Sequence, residues 1–190
     1  MINIFNAVTL SHYLIDLHLE KGATAVDATC GNGNDTLYLC EKVGKDGFVY
    51  AFDIQEEACR TTSALLRRKG VTNAKVICKP HETMDEHVIR RIACAVFNLG
   101  FLPSSDSKIR TEPETTILAI EKAMELLIPD GFIIISVYVS HEGGKKEYKK
   151  LLKMLDKIDA KTYQTLHIDQ PNRKNIAPKV LFIRKKLIFN

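Results

Sequence analysis

The stretch Asp27-Ala-Thr-Cys-Gly31-Asn32-Gly33-Asn34-Asp35-Thr36 sets carboxylates on both sides of a Gly-x-Gly turn, and a third carboxylate, Asp53, stands twenty residues after Gly33. Glycines between a strand and a helix let a ligand approach the backbone. An acid closing the next strand accepts hydrogen bonds from the two hydroxyls of a ribose. A dinucleotide site wants a third glycine in Gly-x-Gly-x-x-Gly, and Thr36 occupies that place. S-adenosylmethionine has no pyrophosphate; it has an amino-acid end whose ammonium pairs with a carboxylate ahead of the glycines. Asp27, four residues before Gly31, fits that need. The stretch therefore points to S-adenosylmethionine over a dinucleotide. Helix N-terminal capping is the plainer role for Asp27 and Asp35. Gln55, just past Asp53, reaches toward an adenosine, and His81 follows the third strand, where contacts to the adenine edge arise. An ordinary loop or capping histidine is the alternative there.

A second group is Asn98-Leu-Gly100-Phe101-Leu-Pro103, after the fourth strand. Enzymes that methylate amino groups commonly carry Asn or Asp at this place, with an aromatic three residues on. The Asn carbonyl accepts a hydrogen bond from the acceptor amine and aims its lone pair, and the aromatic stacks on a flipped-out base. The spacing predicts Asn98 and Phe101 as the catalytic pair, with packing and turn formation as the plain alternative. His141, in Ser140-His141-Glu142-Gly143-Gly144, leaves the fifth strand at the same edge and is a candidate proton acceptor. Residues 104–111 are polar and partly basic, either a lid or a surface loop.

These groups need a scaffold. Ala7, Leu10, Leu14 and Leu17 repeat at helical spacing and predict an N-terminal helix. Strands are expected over 23–29, 47–53, 74–79, 94–100, 132–139, 161–169 and 179–187. Helices are expected over 34–43, 55–69, 81–91, 113–128 and 145–157, and Pro129-Asp130-Gly131 reads as a turn. Alternating strands and helices make an α/β fold: a seven-stranded, mostly parallel sheet with helices on both faces. The two final strands suggest a hairpin, with the last strand antiparallel.

Composition sets the bounds. The chain has 190 residues, 45% hydrophobic and 26% charged, with a net charge of +4. These values exclude a disordered chain, a collagen-like repeat and a small disulfide scaffold. The motifs fill one domain over 1–190, residues 1–21 forming a helix packed on it. The five cysteines form no Cys-x-x-Cys pair, and no cluster of metal ligands stands out. No stretch reads as a signal peptide or reaches the ~20 apolar residues of a membrane span, so the cytoplasm is expected.

The strings VDATCGNGNDT, AFDIQ, NLGFLP, YVSHEGGK and the closing N-x-x-P-K-V-L-F-I resemble, nearly end to end and with His12 included, a family of small bacterial methyltransferases. They were once described as rRNA methylases and are understood as tRNA wobble-uridine enzymes. The resemblance implies a Rossmann-like class I methyltransferase fold and S-adenosylmethionine as cofactor, with S-adenosylhomocysteine as product. It implies conversion of the primary amine of 5-aminomethyl-(2-thio)uridine to 5-methylaminomethyl-(2-thio)uridine. It makes Asn32, Asn34, Asp35, Asp53, Gln55 and His81 cofactor contacts beside Asp27, Gly31 and Gly33. Asn98, Gly100, Phe101, Leu102 and Pro103 become the acceptor loop, and His141 with Gly143-Gly144 matches the loop after the fifth strand. Asn34 stands where the family often has His, Phe101 where it often has Tyr, and Ser104-Ser105 where Gly-Gly is usual. The implied partner is a tRNA anticodon loop, with rRNA or a small-molecule amine as the alternative acceptor. The enzyme is expected as a monomer or homodimer. Phosphate contacts would come from lysines in 145–157, Arg67-Arg68-Lys69 or Arg173-Lys174.

Overall fold

The computed structural model describes residues 3–100, 112–140, 143–173 and 176–187. Seven strands form one sheet: β1 (Thr24–Asp27), β2 (Phe48–Asp53), β3 (Ala74–Cys78), β4 (Ile92–Leu99), β5 (Leu127–Val137), β6 (Tyr163–Ile168) and β7 (Lys179–Lys185). Their order across the sheet is β3-β2-β1-β4-β5-β7-β6. All pairs among β1 to β5 are parallel, while β7 runs antiparallel to both β5 and β6. The expected hairpin is present, and its second strand inserts between β5 and the first. The sequences explain this order. Val180 to Ile183 are buried, as an interior strand requires, whereas β6 is largely exposed and sits at the edge.

Each buried strand sends alternate side chains to opposite faces. Val26, Phe52, Ala95, Phe97, Ile133 and Ile135 face one core, closed by α4 (Met84–His87), α5 (Pro113–Leu126) and α6 (Gly144–Leu155). Ala25, Val49, Cys94, Val96, Ile134 and Phe182 face the other, closed by α1 (Ala7–His18), α2 (Asn34–Val43) and α3 (Glu56–Arg68). Helices thus cover both faces.

The N-terminal helix is present as α1, which buries Ala7, Ser11 and Ile15, leaves Leu10 and Leu14 partly covered and exposes Leu17. Ser11 Oγ and Ser136 Oγ form a buried hydrogen bond (3.3 Å) beneath it. Two expectations need correction. First, the helix expected over 81–91 is only a 3₁₀ turn (His81–Thr83) followed by the single turn of α4. The β-branched pair Val88-Ile89 disfavours continuation, and Val88 is already extended. Second, Pro129-Asp130-Gly131 lies inside β5 as an irregularity, since Ile92 pairs with Leu127 but Cys94 pairs with Phe132. Asp130 there has φ +67° and receives Arg184 Nε at 2.6 Å.

Candidate active site

The order of strands reverses between β1 and β4, because β2 and β3 lie to one side and β5 to the other. At such a switch point the loops leave in opposite directions and a crevice opens beyond the carboxyl ends of the strands. Asp27 closes β1, Asp53 closes β2 and Asn98 is the penultimate residue of β4, so the topology brings three predicted site residues to this edge.

The turn after β1 is held from below and from the side. Gly31 N–H donates to Asp53 Oδ2 (3.0 Å), Cys30 N–H to the Phe52 carbonyl (2.8 Å) and Gly33 N–H to the Cys30 carbonyl (2.7 Å). Thr62, on α3, donates its hydroxyl to the Gly31 carbonyl at 3.0 Å. Gly33 has φ +81°, and a Cβ there would stand 2.9 Å from Thr62 Oγ1 and 3.0 Å from its Cα. Only glycine satisfies both the backbone and the neighbour. Gly33 is also the N-cap of α2, and no side chain among the described residues caps that helix end. Its first N–H groups are therefore suited to an anion.

Asp27 does not face the crevice. It is fully buried, with one oxygen accepting Thr29 N–H (3.2 Å) and the other the Thr36 hydroxyl (2.6 Å). Burial, reinforced by the nearby Asp35 carboxylate, pushes its acid up to about 7, against the lowering effect of the Thr36 bond. Expected as the partner of a cofactor ammonium, Asp27 instead builds the turn. Its cause is local: Thr36, in the position of the missing third glycine, points its hydroxyl back at it.

Asp35 is the carboxylate at the surface of the crevice. Its Oδ2 accepts Asn98 Nδ2 at 2.7 Å and its Oδ1 lies 2.6 Å from His12 Nε2. His12 comes from α1 and lies flat on Tyr38 of α2, ring centroids 3.7 Å apart and planes 6° from parallel. The Asn98 main chain is fixed as well, its N–H donating to Thr29 Oγ1 at 2.8 Å. On the far side, Tyr138 N–H donates to the Leu99 carbonyl at 3.2 Å, tying the end of β5 to that of β4.

The remaining predicted residues fall around this centre. Gln55 N–H donates to Asp53 Oδ1 (3.0 Å), so both oxygens of that carboxylate have main-chain partners and keep one direction. His81 is mostly buried, its Nδ1 3.2 Å from the Ala28 carbonyl. That contact puts the proton on Nδ1, and burial holds the ring below the usual histidine range, hence neutral with Nε2 as an acceptor. Asn32 and Asn34 are exposed on the turn. Phe101 and His141, with Leu102, Pro103 and residues 104–111, lie outside the described residues. Sequence reasoning did not assign His12, Thr29, Thr36 or Thr62 to the site. Their contacts are made over 9 to 69 residues of sequence, and no local spacing signals them.

The comparisons with known proteins agree with this geometry. The family model described as "Putative rRNA methylase" matches residues 49–184. The chloroplastic tRNA (mnm(5)s(2)U34)-methyltransferase of Arabidopsis thaliana is 34% identical over 95% of this chain and 69% of its own length. A Clostridium thermocellum crystal structure of the same description as the family is 39% identical, with a TM-score of 0.92 over 95% of this chain and 97% of that one. A Streptococcus mutans protein solved in complex with SAH (S-adenosylhomocysteine) is 35% identical, with a TM-score of 0.87 over 97% of this chain and 99% of the other. With its crevice at the β1/β4 switch point and these relatives along nearly its whole length, the chain belongs to the "Putative rRNA methylase" family and is an S-adenosylmethionine-dependent methyltransferase.

Proposed function

We propose that the enzyme transfers a methyl group to the primary amine of 5-aminomethyl-(2-thio)uridine at the wobble position of tRNA, giving 5-methylaminomethyl-(2-thio)uridine. The observation that carries this reading is the bond from Asn98 Nδ2 to Asp35 Oδ2. It fixes which end of the amide turns toward Asp35, and the opposite end is a carbonyl oxygen, an acceptor suited to an amine N–H. A ring-carbon acceptor, with no N–H or O–H at the attacking atom, has no use for such a group. The tRNA relative supports the choice of polymer.

The residues at the crevice fit the cofactor. Asp53, steered by Gly31 and Gln55, offers lone pairs to a ribose diol. The uncapped start of α2 suits a carboxylate, and Asp35 suits an ammonium. His81, with Asn32, Asn34 and Gln55, stands around the adenosine side. S-adenosylmethionine supplies a methyl on a sulfonium, a leaving group that needs no acid, so the protein's task is orientation and proton removal.

An alkylammonium, with lysine's ~10.4 as a guide, must lose a proton before it attacks. Asn98 accepts one N–H and holds the lone pair in line. The Asp35 carboxylate raises the negative potential there, and His12, 2.6 Å from it and partly open to solvent, passes the proton out. Among the described residues no helix is long and apolar enough to cross a membrane, and all five cysteines are free. With tRNA as its substrate, we place the enzyme in the cytoplasm.

Purified enzyme is expected to methylate tRNA carrying 5-aminomethyluridine, and a strain lacking the gene to accumulate the unmethylated nucleoside in mass spectra of its tRNA. Unchanged tRNA nucleosides, with a methyl missing from rRNA or a small amine instead, would refute the assignment.

A further inference from the structure

A cleft of about 300 Å³ opens between the segment before α1, Tyr138 and the chain leading into β7. Phe5 is its most prominent wall. Phe5 is 71% exposed, and its backbone is held on both sides: Phe5 N–H donates to Asn3 Oδ1 (3.2 Å), and Gln170 Nε2 donates to the Phe5 carbonyl (2.8 Å). Val8 and Ile176, also exposed, line the same cleft, so the ring belongs to an apolar patch of the kind that marks a binding surface. Asn6 uses its side-chain oxygen to cap Thr9 N–H at 3.1 Å, so its NH₂ is the end available to an acceptor. Arg173 brings a positive charge, and no Asp or Glu is among the described residues that line the cleft.

The cleft adjoins the acceptor edge by two routes. Tyr138 lines it and donates its N–H to Leu99, the neighbour of Asn98. Along α1, His12 is six residue steps beyond the N-cap Asn6, a rise of about 9 Å.

We infer that this cleft receives a nucleotide of single-stranded RNA next to the one that is methylated. Its base stacks on Phe5, a base-edge acceptor meets the Asn6 NH₂, and its phosphate meets Arg173. An aromatic face beside a cation, with no carboxylate among the described lining residues, is the chemistry that binds unpaired nucleotides with little demand on sequence. The inference rests on RNA being the substrate, and it adds that recognition reaches past the target base on the catalytic unit itself.

The test is equilibrium binding of an anticodon stem-loop carrying 5-aminomethyluridine to the full chain with S-adenosylhomocysteine present. Phe5→Ala should weaken binding about tenfold, while Phe5→Tyr, which keeps the ring, should stay within about threefold of wild type. Arg173→Gln should also weaken it and lower the slope of log affinity against log salt by about one. S-adenosylmethionine affinity, measured on each variant, reports that the fold is intact. Wild-type affinity in both Phe5→Ala and Arg173→Gln overturns the inference, as does failure of the wild type to bind the stem-loop. Wild-type binding without methyl transfer refutes the proposed reaction instead, and the same variants still judge the cleft.

Discussion

Asn98 Nδ2 stands 2.7 Å from Asp35 Oδ2, a hydrogen bond between the end of β4 and the first turn of α2 across 63 residues of sequence. An isolated Asn side chain could present either its oxygen or its nitrogen to a substrate. The carboxylate removes that choice, because it can only accept. The same carboxylate reaches His12 on a third element, so α1, α2 and β4 share one polar centre.

Asn98→Ala removes the acceptor that orients the amine. The expected loss is ~10²–10³-fold in kcat, the scale of losing one preorganised hydrogen-bonding group, with S-adenosylmethionine affinity changed only a few-fold. Single-turnover methyl transfer and cofactor titration separate the two. An unchanged kcat would remove Asn98 from the reaction.

His12→Ala leaves Asp35 without its nearest base and opens a slot over Tyr38. The expected result is a fall in kcat of at least ~10-fold with little change in KM for tRNA, partly restored by added imidazole, within the usual range of acid–base contributions. A variant whose kcat matches wild type, or whose deficit imidazole leaves untouched, would reduce His12 to a support for α1.

The elements and the crevice were legible in the sequence because periodicity and punctuation are local. The Gly31/Gly33 turn, Asp53 at the end of β2 and Asn98 near the end of β4 all stand where the strand pattern put them. A carboxylate beside a turn faces either ligand or core, which spacing does not distinguish; Asp27 accepts the Thr36 hydroxyl and is buried. His12 had no local signal of its place, because its partners Asp35 and Tyr38 belong to another helix. The burial of Ser11 against Ser136 also belongs to the packed molecule. The insertion of β7 between β5 and β6 is likewise a choice among pairings that alternation alone permits.

Lys179 begins β7 almost wholly buried, and its Nζ pairs with the partly buried Asp169. Ion pairs of this kind add little net stability, but removing one partner strands the other. Asp169→Ala should cost ~3 kcal/mol in urea unfolding, whereas Asp169→Ala with Lys179→Met should recover most of it. Equal losses in the single and double variants would show that the pair is not coupled.

Asp27 gives stability a pH dependence of defined sign. Its carboxyl, ordinarily near 3.8, is raised to about 7 chiefly by burial. Between these values the folded protein holds a proton that the unfolded chain has released, so the unfolded state binds fewer protons. The Asp27 contribution is therefore full below pH ~3.8 and is lost as pH rises toward about 7. Asp27→Asn stays neutral throughout. Its oxygen still accepts Thr29 N–H, and its NH₂ can donate to the Thr36 hydroxyl, whose own hydrogen rotates away. The stability difference between variant and wild type should thus move in the variant's favour between pH 4.5 and pH 7.5, read as paired urea midpoints with equal slopes. A difference that stays constant over that range would mean that Asp27 ionises alike in the folded and unfolded chain, and that its burial beneath the turn carries no electrostatic cost.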